Sequence, residues 1–526
     1  MKQLLFILLI FQSLLGFAQK WDHLIGFPNV EDGFLELLES YDNGYLLMGA
    51  SEFYSYNWLI KTNINGELIW SKSIIHNTLT LGTGEISQNS SGEIAIARCF
   101  SFPNGEQWPS ITKLDECGNK VWCRTFIDDN YMHGCIEDVI IFDNGDILAL
   151  AWLESLEQID KIFLYYVDSN GNLLWRNSYA SKNNHPLVLD RLGTELHHIG
   201  NNYYLVGWCY YPYPINPNIG YIRPFFVGID SMFNEQWILP YGVNDTIVGK
   251  AYSIIQLNDS TLLGVGTRYL NGSVLNSILM KFNIEGELID YQQVKNVAIG
   301  PDIKNNQISK IAQANDSLFI ASAVFGPNTG ENPFGELIVD KDANVFKHCS
   351  RPNTTGLSDL IKTFDNKYVI GTTYTQPNST HDIYLYKIND SLEMDTVYPG
   401  NFTYDSLCPY QIESGNIDVS DCMLITEVGE TPTPAIYYAN LNTIPIKVYP
   451  NPADKRIVNI TFQNTGYHKD LNLECYNVHG KLVHSEKLYK YQGESKLNIQ
   501  EWQSGMYIAL VFSKGQILGK AKFLVR

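Results

Sequence analysis

The side chains most able to do chemistry are scattered along this chain. His197-His198, in "TELHHIG", is the only histidine doublet, and its surroundings read as a strand. No G-x-S-x-G, H-E-x-x-H or phosphate-binding loop is present. The "DNG" and "DSNG" stretches hint at calcium, but no twelve-residue loop with a closing Glu follows them, and hairpin turns account for them. No Cys/His set has zinc spacing. No catalytic, cofactor or metal residue is therefore assigned, and an enzyme here would need an acid, a base or a nucleophile assembled from distant loops. Two other sets stand out. Cys408 and Cys422 flank one short stretch, which predicts a disulfide closing a loop of about fifteen residues. Aromatic residues crowd three presumed loops: Tyr54 and Tyr56 in "EFYSYN", Trp108 in "FSFPNGEQWP", and Tyr210, Tyr211 and Tyr213 in "WCYYPYPINPNIGYIRPF". Rigid aromatics beside prolines lose little entropy on binding, which suits a glycan or peptide site, although they could equally form a self-packed cap.

Any such face must be carried by strands. The chain has 526 residues, 13% aromatic and only 18% charged, with 33 Tyr and no sustained helical periodicity. The opening "MKQLLFILLIFQSLLGFAQK" has a basic start, a short apolar run and small residues before a cut between Ala18 and Gln19, so residues 1–18 read as a signal peptide. The run is too short to span a bilayer, and no other segment is a transmembrane candidate. The residue after the cut is not Cys, which speaks against a lipid anchor. An exported chain with nine cysteines permits disulfides and leaves at least one thiol unpaired within the chain.

A phrase recurs: "NGELIWSKSI", "GNKVWCRTF", "GNLLWRNSY" and "MFNEQWILPY". Aligned on Trp70, Trp122, Trp175 and Trp237, the frame continues through Asp290, Lys347 and Asp395, with spacings of 52, 53, 62, 53, 57 and 48. Each unit parses as four short strands with tight Asn-Gly or Asp-Asn-Gly turns, and "WDHLIGF" at Trp21–Phe27 reads as a stray last strand that closes the set. Seven such units predict an all-β fold, a seven-bladed β-propeller over residues 19–400, with the recurring Trp packed between blades. The Asp, Gly and Trp of "VDSNGNLLW" resemble the blades of quinoprotein-type propellers. That resemblance concerns the blade alone, and no quinone-binding residue is carried over.

Residues 401–443 read as a disulfide-bearing segment and a Pro-bearing linker. From Ile444 the pattern changes to short alternating strands, predicting a small C-terminal β-sandwich. Its charge changes too: 12 Lys and Arg against 6 Asp and Glu give +6, whereas the remainder has 25 against 50, which is −25. So acidic a body is a poor partner for nucleic acid. "VYPNP", "YNVHGKLV", "SGMYIALV" and "GKAKFLVR" resemble, in order, the C-terminal sorting domain of the type IX secretion system of Bacteroidota. The residues that carry the likeness are Tyr449, Pro450, Asn451, Pro452, Gly480, Gly505, Tyr507 and Lys522, with Lys520 and Arg526 beside the last. The resemblance implies recognition of residues 444–526 by the outer-membrane translocon, processing by a surface sortase, and a destination outside the cell. The expected protein is a secreted or surface propeller that binds a glycan or protein. The alternative is a secreted hydrolase or lyase whose site is formed by the long loops.

Overall fold

The computed structural model describes residues 20–526 apart from 52–55, 76–83, 103, 157–159, 180–189, 214–215, 241–248, 271–273, 295–305, 326–333, 427, 429–445, 455, 464–470, 478–480, 489–491, 501 and 514–515. Every regular element among the described residues is a β-strand or a turn. The chain divides into two compact units, Met1–Thr431 and Pro432–Arg526.

The first unit contains seven antiparallel sheets taken almost in chain order. Their first strands are Gly33–Glu39, Gly84–Gln88, Tyr131–Ile141, Asp190–Ile199, Ala251–Asn258, Asn306–Gln313 and Thr354–Lys362. Each first strand packs against the first strand of the next sheet, and that of the seventh packs against that of the first. The seventh sheet takes its outermost strand, Asp22–Ile25, from the N-terminal end, where it pairs antiparallel with His381–Ile388. The strand expected from "WDHLIGF" is thus in place.

Side chains from both faces of each sheet fill the spaces between neighbours. One such core includes Trp108, Trp122, Phe126, Phe163 and Tyr165 between the second and third sheets. The recurring Trp does a particular job there. Trp122 Nε1 donates to Ser169 O at 2.9 Å, and Trp237 Nε1 donates to Ile284 O at 2.8 Å, in each case in the last turn of the following sheet. Trp21 does the same to Ile64 O at 2.8 Å, across the join between the seventh and first sheets. The turn glycine has φ of +83° at Gly286, and a Cβ there would lie 2.3 Å from the Trp237 ring. The Gly is needed both for its left-handed backbone and for the space the indole occupies. The Asp that opens such a turn is also explained without calcium. Asp168 Oδ1 accepts from the amides of Asn170 and Asn172 at 2.9 and 2.8 Å, a side-chain-closed turn.

Residues 401–425 do not form a stand-alone loop. Gly415–Asp418 adds in parallel to the outer edge of the first sheet, against Leu68–Ile75, and Met423–Ile425 adds to the outer edge of the second, against Lys120–Phe126. The expected Cys408–Cys422 disulfide is replaced by two others: Cys117–Cys408 and Cys123–Cys422, with Cα–Cα distances of 5.0 and 4.6 Å. The reason is the path of the strap. Between the two cysteines it follows the edge of the first sheet over Gly415–Asp418 and turns at Val419–Cys422 onto the second, and each cysteine lies beside a cysteine of the second sheet. A third bridge joins Cys99 to Cys135.

The second unit has a three-stranded sheet, Ile446–Tyr449, Ile457–Gln463 and Gln492–Asn498, and a four-stranded sheet, Leu482–Leu488, Leu471–Asn477, Gly505–Ser513 and Gln516–Val525. One core of residues such as Ile460, Leu473, Leu497, Val511 and Phe523 joins them.

Candidate functional site

The most unusual chemistry lies on the first strands of the seven sheets. Near the end of each first strand stands one polar residue: Glu36, Glu85, Asp138, Lys310 and Asp359 lie four residues before the residue that follows their strand, Glu195 five and Ser253 six. In most of these strands a β-bulge lies just before that residue, for example between Phe34 and Glu36, between Ile136 and Asp138, and between Gly193 and Glu195. A bulge re-aims the side chain that follows it. Five carboxylic acids, one amine and one hydroxyl are thereby gathered from elements hundreds of residues apart.

The group has two halves. On one side Lys310 Nζ lies 2.8 Å from Glu195 and 3.7 Å from Asp359, and His197 Nε2 lies 2.7 Å from the other Glu195 oxygen. Burial works against ionisation of Glu195, but Lys310 and His197 hold its carboxyl below the usual range. On the other side Glu36, Glu85 and Asp138 each place a carboxyl oxygen within 4.8 Å of the others. Here burial dominates. It pushes Glu36 up to about 8, with the charges of Asp138 and Asp359 adding to it. It pushes Asp138 up to about 6 despite the amide of Leu196, and it raises Glu85 well above the carboxylate range, with the neighbouring Glu36 charge next in effect. All three side chains keep partial access to solvent. Fully ionised, the three would make a hard oxygen site for a cation. Their environment instead favours a retained proton.

Sequence reasoning missed this cluster, although a signal for it exists. A charged residue recurs four residues before the residue that follows the strand in five of the seven first strands, as in "ELLESYDNG", "DVIIFDNG" and "DLIKTFDN". The doublet is now placed as well. His197 joins the cluster through Glu195, and His198 is exposed, stacked on Tyr203 with ring centroids 4.6 Å apart. Both lie on a strand, as the sequence reads.

The expected aromatic face fares differently. Trp108 is 4% exposed and belongs to the core between the second and third sheets. The turn before it is tighter than the sequence suggests, closing between Phe102 and Glu106, so Trp108 falls on a strand opposite Phe100 and points inward. Tyr210, Tyr211 and Tyr213 lie on the strand Asn202–Tyr213, paired with Asn216–Ile229 in one long hairpin, not in an irregular loop. The side chains of these three residues fall outside the described residues. So do all of Tyr54 and Gly480, and Ala18 and Gln19 of the cleavage site. Tyr56 is half-buried at the start of a strand.

A cleft of about 770 Å³ opens beside Trp108, between the second and third sheets. Glu106, Gln107, Asp129, Met132 and His133 line it, with Met132 42% exposed. His133 Nε2 is 2.8 Å from Glu154, which fixes its ring.

In the second unit the "YPNP" stretch has a structural role. The Asn451 side chain donates to Lys522 O at 3.2 Å and accepts from the Leu524 amide at 3.0 Å. The Ala453 amide then donates to Leu524 O, and the Arg526 amide donates to Ala453 O. Asn451 thus holds the end of the final strand. Tyr507 is buried against Trp502 and Phe523, and its hydroxyl donates to Gln503 O. Lys520, Lys522 and Arg526 alternate along the exposed side of the last strand.

Residues 447–526 match the family described as the secretion system C-terminal sorting domain. The match supports export by the type IX secretion system, to the cell surface or into the medium. No curated protein matches the chain significantly. Among solved structures, a Bacteroides caccae protein of unknown function shares 10% identity over 61% of this chain and 94% of its own, with a TM-score of 0.33. A Dyadobacter fermentans protein of unknown function shares 9% over 69% and 99%, with a TM-score of 0.41. An endo-arabinase from Bacteroides thetaiotaomicron shares 11% over 46% and 92%, with a TM-score of 0.30. Likeness at this level carries no argument about what this chain does.

Proposed function

We propose that the chain is type IX cargo, a seven-bladed β-propeller displayed outside the outer membrane or released there, that binds a glycan or a protein. In this reading a signal peptide is cut between Ala18 and Gln19, the translocon engages residues 444–526, and a surface sortase processes the tail. The observation that carries the export reading is the family match over residues 447–526. The propeller is supported by seven sheets whose first strands contact each other in turn, and by the N-terminal strand that completes the seventh. Binding is supported by the open cleft beside Met132, whose lining is polar and mixed with one exposed apolar side chain.

A hydrolase reading has one observation in its favour, the neighbouring carboxyls of Glu36, Glu85 and Asp138. Backbone amides of neighbouring sheets already occupy Glu36 and Asp138, and the Val139 amide also donates to Asp138 within its own strand. That commitment favours a structural use of the acids and leaves binding at the cleft as the preferred reading.

Two measurements test the proposal. Ending the chain before Ile444 in a host with type IX machinery should retain the body in the periplasm, and normal surface amounts of the truncated chain would refute the export reading. The full exported chain should bind some member of a polysaccharide and peptide array, and Met132→Asp should abolish that signal while leaving the melting temperature unchanged. A signal indifferent to Met132→Asp places the ligand elsewhere.

A further inference from the structure

We propose that Glu36, Glu85 and Asp138 form a proton-held clasp between the first strands of the first three sheets, and that the clasp loosens in mildly alkaline solution.

The geometry comes first. The three carboxyl groups come from three different sheets, with their oxygens within 4.8 Å. Three ionised carboxylates at that spacing repel strongly in a partly enclosed site. Relief must come from a cation or a proton. The groups facing them from the other first strands are Glu195 and His197 of the fourth, Lys310 of the sixth and Asp359 of the seventh. Glu137 sits next to Asp138 but is turned to Trp152, whose Nε1 donates to it at 2.6 Å. Lys310 and His197 are both engaged with Glu195, and Lys310 also faces Asp359. Lys310 also acts at longer range on Glu85 and Asp138, and His197 on Asp138, but burial outweighs both.

The hydrogen bonds show where the proton sits. The Ile86 amide donates to Glu36. The amides of Leu196 and Val139 donate to the two oxygens of Asp138 at 2.6 and 2.7 Å. Amide donors favour the ionised form at both residues. Glu85 is left to hold the proton and to donate to Glu36, consistent with the opposite effects the two side chains have on each other. The Glu85–Glu36 bond and the Ile86–Glu36 bond together tie the first sheet to the second. The Leu196–Asp138 bond ties the third to the fourth.

The sign follows from linkage. Burial raises the affinity of Glu36 and Glu85 for a proton in the folded state. Their contribution to stability is present in full below the ordinary carboxyl range and is lost as pH rises, through about 8 for Glu36 and well above the carboxylate range for Glu85.

The test uses the full chain and Glu85→Gln, whose amide can still donate to Glu36 but cannot lose a proton in this range. From pH 5 to pH 9 the folded-to-unfolded ratio of the wild type should fall by about a hundredfold or more relative to that of E85Q. Amide exchange at Ile86, corrected for intrinsic rates, should rise at least about tenfold over the same range in the wild type alone. Infrared difference spectra should show protonated carboxyl C=O intensity that bleaches between pH 5 and pH 9, with the Glu85 share of it missing in E85Q. If E85Q fails to fold, Glu36→Gln removes the neighbouring charge instead, and the loss of the Glu85 proton should then move to lower pH; an unchanged profile overturns the clasp. Parallel pH profiles for wild type and variant overturn the clasp. Full rescue of the wild type at pH 9 by millimolar calcium also overturns it, because the acids would then be a cation site.

Discussion

The strap over residues 401–425 makes a quantitative prediction through its two disulfides. They close loops of 291 and 299 residues. Either loop alone removes enough unfolded-chain entropy to stabilise the native state by about 5–6 kcal/mol. With one bridge intact, however, the second closes a ring of only about twenty residues, bounded by 117–123 on one side and 408–422 on the other, and adds about 3 kcal/mol. The double replacement Cys117→Ser with Cys408→Ser should therefore lower stability by about 3 kcal/mol, and Cys123→Ser with Cys422→Ser by a similar amount. Replacing all four should lower it by about 9 kcal/mol, well beyond the sum of the two pairs. The fold itself should persist. The strap keeps its hydrogen bonds, among them Trp70 Nε1 to Asp405 at 3.0 Å and the Ser71 amide to Ser414 Oγ at 3.0 Å. Denaturant unfolding of the exported, oxidised chain gives the three differences directly, and non-reducing peptide mapping gives the pairing. Simple additivity would refute the nested-loop argument. A Cys408–Cys422 peptide would refute the strap.

Three further outcomes are expected. Trp108→Ala should lower stability by about 3–5 kcal/mol in denaturant unfolding, because the ring fills the core between two sheets; a ligand platform would lose binding and little stability. Gly286→Ala should cost about 2–4 kcal/mol, from both the left-handed backbone and the Trp237 ring. Gly105→Ala, with φ of +88° and no atom within 4 Å, should cost only about 1 kcal/mol by the same measurement. Asn451→Ala removes both ties to the final strand and should lower the stability of the tail unit by about 1–2 kcal/mol, read by its own thermal transition, with a matching fall in the amount exported.

Local regularities were legible in the sequence because they repeat. The Asp-to-Gly turn and the Trp four residues beyond the Gly announce a strand, a hairpin and the next strand within about a dozen residues, and no distant contact is needed to recognise them. The isolated strand at Asp22–Ile25 was legible for the same reason, since it copies a fourth strand without its first three. The ordered motifs of the tail were likewise legible, because the family match falls on one contiguous region, residues 447–526.

Tertiary structure decided the rest. Whether Trp108 faces solvent or core depends on where one tight turn closes, and a shift of one residue reverses every side chain on the strand. The partner of each cysteine depends on which sheet edge the strap follows, and two cysteines close in sequence lose to pairs about 300 residues apart once the strap is paired along those edges. The acidic cluster is the clearest case. Glu36, Glu85 and Asp138 are ordinary strand residues in the sequence, each beside unrelated neighbours. They become a coupled, proton-holding group only because seven sheets bring their first strands together, and proton affinity is set by distance and enclosure rather than by order along the chain.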